Sequence, residues 1–181
     1  MRVIGVDPGT RVCGFGILES ENGKLTHIKS GTIVPPSSNS LPQRLKKIYE
    51  GLDQVINKYL PEAMSIEGLF FAKNAKSAIK LGEARGVAYL AAALSGITVH
   101  EYAPTEVKLA LTGRGRANKT EVQKMITSIF GITDWGRTDV SDAVAIALCH
   151  INFSQTKERY GVEVIRTRRR RRRFLLNDLP S

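Results

Sequence analysis

The first 33 residues alternate between short apolar runs and turn residues, a pattern typical of consecutive β-strands. An apolar run reaches Asp7, Pro8 and Gly9 follow as a turn, and a second apolar run covers residues 12–18. Residues 21–24 contain Asn-Gly and predict a turn into a third strand over residues 25–33. We therefore predict an antiparallel meander in which the carboxylate of Asp7 stands at a strand end.

The spacing becomes helical after residue 39. Ser40 and Gln43 have the spacing of a capping box, and apolar residues then recur every three or four positions as far as Tyr59. A short apolar strand over residues 63–66 follows and stops at Glu67, so an acidic residue stands at a strand end for a second time. The predicted elements after Glu67 are a helix over about 74–95, a strand over 97–102, a helix from Pro104 to about 111, a helix from Asn118 through 130 and a last helix over about 138–152. Asn118 and Glu121 predict a cap at the start of the fourth of these elements. Strands first, then strands alternating with helices, predict an α/β fold with a sheet of mixed direction.

Two further acidic residues, Asp139 and Asp142, begin the last predicted helix. Their spacing of three places both on one helix face. Taken singly, Asp7 could be a turn former and Asp139 an ordinary carboxylate at a helix start. If they converge with Glu67, however, the mutual repulsion of four acids would raise some of their pKa values or expel them from the cluster unless cations neutralised it.

Carboxylate oxygens are hard ligands that suit Mg²⁺ or Mn²⁺. Two such ions roughly 4 Å apart can stabilise both the attacking and the leaving oxygen of a phosphodiester. We therefore predict phosphodiester hydrolysis with two Mg²⁺ per active site, for which Mn²⁺ can substitute.

The net charge of +10 comes mainly from seven arginines between residues 166 and 173. A basic excess of this kind indicates a polyanionic partner, most often nucleic acid, although an anionic membrane surface would attract the same tail. At 181 residues the chain is long enough for one buried core. We predict one domain over residues 1–157 and a basic tail over residues 158–181.

Cysteine content and hydropathy bear on the compartment. Cys13 and Cys149 are the only cysteines and each lies in an apolar run, so a disulfide framework or a cysteine-based zinc site is not supported. We see neither a bilayer-spanning apolar stretch nor a secretory leader at the start of the chain. These features predict a cytoplasmic protein without a membrane partner.

Four segments follow one another across residues 1–153: Gly5-Val6-Asp7-Pro8-Gly9-Thr10, Ile66-Glu67 with Phe70 and Ala72-Lys73-Asn74, Lys80-Leu81-Gly82-Glu83-Ala84-Arg85-Gly86, and Asp139-Val140-Ser141-Asp142-Ala143. No single segment is decisive, but the ordered set is specific. Together they resemble the RuvC family of bacterial Holliday-junction resolvases, which are RNase H-like nucleases. The resemblance implies an RNase H-like mixed five-stranded sheet flanked by helices.

The resemblance also implies an activity: a homodimer that binds a four-way DNA junction, nicks two strands of like polarity symmetrically and leaves 5′-phosphate and 3′-hydroxyl ends. A two-fold dimer matches the approximate two-fold symmetry of such a substrate. In this interpretation Asp7, Glu67, Asp139 and Asp142 are the catalytic metal ligands. A branch-migration motor is a further partner that the family implies.

By the same resemblance Phe70 would stack on a base near the junction centre, and Lys108 and Lys119 would contact the DNA backbone close to the cut. The alternative for Phe70 is core packing, and for the two lysines a solvated surface. Other basic residues on the long helix and in the loop before Asn118 are further predicted DNA contacts: Lys73, Lys76, Lys80, Arg85, Arg114 and Arg116.

The tail over residues 166–173 extends beyond the compact domain of the family. It could contact DNA non-specifically, contact a membrane surface, or be a disordered end that only adds charge. The local sequence around Glu67 and Asp139 also departs from the family pattern, which leaves the cleavage sequence preference open.

Three other classes of protein share part of this sequence pattern. An RNase H-like nuclease that processes ribosomal RNA would also begin with Asp-Pro-Gly, but the length, the long basic helix and Phe70 favour a DNA junction. Actin-like proteins and sugar kinases share a strand ending in Asp-x-Gly-Thr, yet they need a second phosphate loop and a longer chain, and no P-loop Lys-Ser/Thr pair follows Gly14. A non-catalytic DNA-binding protein would leave all four acids without a role.

Overall fold

The computed structural model describes residues 1–68 and 75–160, without the side chains of residues 75–77 and 158–160. Within these ranges the chain forms five strands and five helices. The strands are β1 (Arg2–Asp7), β2 (Cys13–Glu21), β3 (Lys24–Ile33), β4 (Ala63–Glu67) and β5 (Thr98–Tyr102). The helices are α1 (Leu41–Tyr59), α2 (Ala75–Leu94), α3 (Pro104–Thr112), α4 (Lys119–Phe130) and α5 (Thr138–Tyr160).

The strands form one sheet in the order β3-β2-β1-β4-β5. The pairs β1–β2 and β2–β3 are antiparallel, whereas β1–β4 and β4–β5 are parallel, so the predicted mixed direction is confirmed. Strand β2 runs on to Glu21, beyond the predicted end at residue 18, because the hairpin turn is confined to Asn22 and Gly23. Both turn residues have positive φ, 50° and 78°, as a tight two-residue hairpin turn requires.

The predicted capping residues lie where two helices begin. The backbone N–H of Ser40 donates to Oε1 of Gln43 at 2.9 Å at the start of α1. At the start of α4 the box is complete: Asn118 Oδ1 accepts from the Glu121 N–H at 2.9 Å, and Glu121 Oε2 accepts from the Asn118 N–H at 2.8 Å.

Helix α5 is longer than predicted, since it continues to Tyr160 instead of ending near residue 152. Contacts beyond that point support the extra turns. The Phe153 ring stacks on Tyr102 with centroids 5.3 Å apart, and Gln155 Nε2 donates to Ser20 Oγ at 2.7 Å. The predicted boundary between residues 157 and 158 therefore falls inside a helix.

The two faces of the sheet bury two apolar cores. Val3 and Leu18 face α3, α4 and α5, whereas Ile4, Val6 and Ile17 face α1 and α2. Helix α5 lies very close to the sheet, because a Cβ on Gly5 would stand only 2.0 Å from the carbonyl oxygen of Ala143. In the part of the chain that the structure describes, no helix is long and apolar enough to cross a membrane.

Candidate active site

Two of the four predicted acids stand side by side at one edge of the sheet. Asp7 is the last residue of β1 and Glu67 the last residue of β4. The two strands are parallel neighbours with Val6 paired to Ile66, so the carboxyl ends of both strands meet at this edge. Both acids stand at strand ends as predicted, and the parallel pairing of the two strands places them next to each other.

The start of α5 brings the other two acids to the same edge. Asp7 pairs with Gly14 across the β1–β2 ladder, and a Cβ on Gly14 would lie 2.1 Å from the carbonyl oxygen of Asp139. Only a residue without a side chain lets the helix approach the strand this closely. Asp142 follows one turn later on the same face of α5. The glycine therefore fixes the distance between the strand-end acids and the helical pair.

The other three carboxylates are close enough to Asp7 to affect its ionisation. The pKa of Asp7 is raised from 3.8 to about 7, first by burial and then by the negative charges of Asp142, Glu67 and Asp139. The pKa of Glu67 is also raised, again first by burial and then by Asp142. A cluster in which carboxylates resist ionisation in this way favours the binding of cations.

Two lysines stand at this cluster. Lys119 Nζ donates to Asp142 Oδ2 at 2.6 Å, and the positive charge of Lys119 lowers the pKa of Asp7. Partial burial disfavours the charged form of Lys119, but the hydrogen bond and the charge of Asp142 outweigh it, so the pKa of Lys119 is raised. Lys108 on α3 opposes the rise in the pKa of Glu67. Both lysines thus lie where a phosphate beside the acids would need positive charge.

A cleft of about 320 Å³ opens next to these groups. Its walls combine acids, lysines and apolar side chains. The lining residues are Glu67, Pro104, Val107, Lys108, Lys119, Val122, Asp142, Ala145 and Ile146.

The donor set suits a hard divalent cation, although the side chains are not arranged around one. Among the residues that the structure describes, no group of three or more His, Cys, Asp or Glu side chains is placed to hold a metal ion as it stands. Instead the ammonium of Lys119 lies against Asp142 and supplies positive charge there. Four neighbouring acids, of which Asp7 and Glu67 have raised pKa values, offer only oxygen atoms as ligands and so match the preference of Mg²⁺ and Mn²⁺.

Arg85 was predicted to contact DNA, but its side chain is buried. Its side chain is only 4% exposed, and its guanidinium bonds to the Glu67 backbone, to Tyr89 and to Glu101. A guanidinium enclosed in this way does not face a DNA surface, so the prediction for Arg85 does not fit its placement. The prediction for Arg85 was based on its charge, which is usually found at the protein surface. Arg85 instead shares a helix face with the buried Ala88 and Ala92.

The remaining predicted DNA contacts stay predictions. Lys80 and Arg116 are exposed, and Arg114 is exposed but forms an ion pair with Glu121. Phe70 and Lys73 lie outside the described residues, as does the side chain of Lys76.

Sequence reasoning missed several residues that support the site. Ser141 Oγ donates to the Thr138 carbonyl at 2.9 Å and accepts from Gln123 Nε2 at 3.3 Å, which ties the start of α5 to α4. Arg137 Nε lies 3.8 Å from Asp139 Oδ2. The polar Ser141 between Asp139 and Asp142 was the available signal, but its partner on α4 lies 18 residues away.

Comparisons with known proteins place this geometry in context. The family model described as "Crossover junction endodeoxyribonuclease RuvC" matches residues 3–150. The chain is similar to the crossover junction endodeoxyribonuclease RuvC of Trichlorobacter lovleyi, with 42% identity over 93% of this chain and 95% of that protein.

Solved structures show the same fold. A structure titled "T. thermophilus RuvC in complex with Holliday junction substrate" superposes with a TM-score of 0.81 at 32% identity and covers 86% of this chain and 96% of that one. The yeast mitochondrial Holliday junction resolvase superposes with a TM-score of 0.66 at 12% identity, over 87% of this chain and 80% of that one, and supports the fold alone. The predicted RNase H-like fold is confirmed.

Proposed function

Because the chain belongs to the RuvC family of crossover junction endodeoxyribonucleases, we propose that it resolves four-way DNA junctions by nicking two strands of like polarity symmetrically. Family membership implies dependence on a divalent metal ion. We propose Mg²⁺ as that ion, two per active site, with Mn²⁺ able to substitute. The nicks would carry 5′-phosphate and 3′-hydroxyl ends.

The observation that carries this proposal is the convergence of Asp7, Glu67, Asp139 and Asp142 beside a cleft that holds two lysines. Structural acids would be dispersed on the surface, where each could be solvated. Here burial, together with the charges of the other three acids, raises the pKa of Asp7 to about 7, and a fold keeps such a costly arrangement mainly when a cation or a reaction uses it.

The protein's own groups have separable tasks in phosphodiester hydrolysis. The four carboxylates would hold the metal ions, which supply Lewis-acid stabilisation and activate water when bound. Lys108 and Lys119 would bind the DNA phosphate that the acids alone would repel. The apolar wall of Val107, Val122 and Ile146 would exclude bulk water from one side of the cleft. Phe70 remains a proposed stacking residue at the junction centre.

A second copy of the chain is the proposed partner at α2. Ile79, Leu90 and Leu94 are 63%, 53% and 65% exposed, which is unusual for large apolar side chains on one helix. Gly82 and Gly86 lie on the same helix face, and a Cβ added at either would meet nothing within 4 Å. An apolar stripe with glycines at its centre allows another helix to approach closely. A two-fold dimer formed there would present two active sites to the two strands of the junction.

We further propose a cytoplasmic location, where the two buried free cysteines, Cys13 and Cys149, would stay reduced, and contact with a branch-migration motor. Residues 1–157 are proposed as the resolvase domain and residues 158–181 as a basic tail. The tail beyond Tyr160 lies outside the described residues.

The test compares a mobile four-way junction, the matching linear duplex and a structured RNA, each incubated with the protein in Mg²⁺ and in a chelator. The proposal expects paired nicks at symmetry-related positions in the junction, ends that a ligase can seal, and no cleavage in chelator. Preferential cutting of the RNA would favour the ribosomal-RNA-processing alternative. Binding to all three without any cut in Mg²⁺ or Mn²⁺ would favour a non-catalytic DNA-binding protein.

A further inference from the structure

A closed hydrogen-bond network lies directly behind the strand end that carries Glu67. Arg85 Nη1 donates to the carbonyl oxygen of Glu67, and Arg85 Nη2 donates to Tyr89 Oη and, at 3.0 Å, to Glu101 Oε2. Tyr89 Oη in turn donates to Glu101 Oε1 at 2.8 Å. The network thus joins α2, β4 and β5, and Arg85 is not among the residues that line the cleft.

The backbone at Glu67 needs this support. The β1–β4 ladder ends at the pair Val6 and Ile66, so the carbonyl of Glu67 lies beyond the last pair of that ladder. On the β5 side, the N–H of Gly68 donates to the Tyr102 carbonyl at 2.7 Å. A partly buried carbonyl left without a donor destabilises the fold, and Arg85 supplies a donor to this one. The strand end is therefore held by β5 on one side and by α2 on the other.

Stability alone is a weak reason for an arginine at this position. Burying a guanidinium removes most of its hydration, and an ion pair with a half-exposed carboxylate such as Glu101 offsets that loss only in part. An apolar residue beside Ala84 and Ala88 would fill the same space on the buried face of α2 without that cost. What an apolar residue cannot do is direct a hydrogen bond to the Glu67 backbone.

We propose that Arg85 is a positioning residue for the reaction: it holds the Glu67 backbone so that the Glu67 carboxylate stays in register with Asp7 and Asp142. The inference rests on the proposed metal-dependent cleavage. Catalytic groups must be held within about 0.5 Å of productive geometry, and a shift of about 1 Å can cost roughly 100-fold in rate. Arg85 acts through Glu67 and does not itself touch the substrate.

The test compares Arg85→Met and Arg85→Lys with a matched control, Arg2→Met. Arg2 makes the same kinds of contact far from the cleft: it donates to the Tyr59 carbonyl at 2.6 Å and pairs with Glu19 at 2.8 Å. Three quantities are measured at a temperature well below unfolding: the single-turnover cleavage rate at saturating protein, the junction Kd in chelator, and the Mg²⁺ concentration for half-maximal rate. A fourth needs no activity: the rise in unfolding temperature when Mg²⁺ alone is added.

Arg85→Met should lower the saturated cleavage rate about 10- to 100-fold, leave the Kd within about twofold, and raise the Mg²⁺ requirement. The Mg²⁺-induced rise in unfolding temperature should shrink. Arg85→Lys, which keeps one charged donor, should recover part of the rate. Arg2→Met should lose stability but keep the parental rate and Mg²⁺ response.

Two results would overturn the proposal: a parental rate and Mg²⁺ response in Arg85→Met, or a loss of junction affinity as large as the loss of rate, which would make Arg85 a DNA ligand. If Arg85→Met does not fold, two other variants weaken the same network: Tyr89→Phe removes both hydrogen bonds of the Tyr89 hydroxyl, and Glu101→Gln removes the ion pair with Arg85. Each should slow cleavage about three- to tenfold, and parental rates in both would also overturn the proposal. If the parent protein cuts no junction, the proposed function fails, while the Mg²⁺-induced shift in unfolding temperature still shows whether Arg85 positions Glu67.

Discussion

The contact between Gly14 and α5 offers a sharp test of how the site is built. An alanine at residue 14 would place its Cβ 2.1 Å from the carbonyl oxygen of Asp139 and 2.5 Å from the carbonyl carbon. Ordinary contacts begin near 3.4 Å, so the strand and the start of α5 would have to separate by about 1.3 Å. Because the obstructing atoms are backbone atoms of Asp139 itself, the displacement moves a proposed metal ligand directly.

The expected cost has a stability part and an activity part. Overpacking of this kind typically costs about 1–3 kcal/mol, or roughly 2–12 °C in unfolding temperature for a domain of this size. The displacement exceeds the roughly 0.5 Å that a catalytic constellation tolerates, so the cleavage rate of Gly14→Ala should fall about 100-fold.

The measurement is single-turnover cleavage of a four-way junction, performed well below the unfolding temperature so that both variants are folded. Gly31→Ala is the matched control, because a Cβ there meets only the Phe15 ring, at 3.1 and 3.2 Å, on the neighbouring strand. Gly31→Ala should cut at nearly the parental rate. A Gly14→Ala rate within about twofold of the parent would refute the argument that this glycine sets the position of Asp139.

Three further predictions concern charge and substrate contacts. Because the pKa of Asp7 is raised from 3.8 to about 7, the metal-free folded protein keeps a proton on Asp7 at pH values where the unfolded chain has lost it. The free energy of unfolding should therefore fall by at most about 4 kcal/mol as the pH rises from about 4 to 7. Urea unfolding of Asp7→Asn should show a smaller fall over the same pH range. An equal fall in both proteins would argue against a raised pKa of Asp7. Phe70→Ala should impair cutting while the Mg²⁺-induced rise in unfolding temperature persists, and a parental rate would instead favour core packing. Removal of residues 166–181 should flatten the salt dependence of junction binding without abolishing cleavage, and complete loss of cleavage would mean that the tail has another role.

Much of the fold follows from local patterns. Apolar alternation predicted the opening meander, and the Asn118 capping box predicted the start of α4, because both depend on residues close in sequence. The positions of Asp7 and Glu67 at strand ends were also predictable, because each acid directly follows a short apolar run, whereas the pairing of their two strands was not. The length of α5 was not predictable, because its last turns are held by contacts with Tyr102 and Ser20, which are distant in sequence.

The candidate active site, like the fold, was predictable only where it depends on residues close in sequence. Residue type and spacing indicated all four carboxylates, but not what holds them together. The close approach at Gly14 depends on which helix crosses which strand, and the pairing of Lys119 with Asp142 joins residues 23 positions apart. Arg85 is the clearest example: its charge suggested DNA, whereas its place on the buried face of α2 directs it to the Glu67 backbone.

The most direct test of the central claim measures binding and cleavage of one labelled four-way junction by the parent protein and by Asp7→Asn. Binding is measured in chelator and cleavage in Mg²⁺, with protein in excess. Removing one carboxylate takes away a proposed metal ligand and some repulsion toward DNA, so Asp7→Asn should bind the junction at least as tightly as the parent and leave it uncut. Cleavage by Asp7→Asn at the parental rate, or loss of binding together with cleavage, would contradict the assignment of Asp7 to the metal-dependent active site of a junction resolvase.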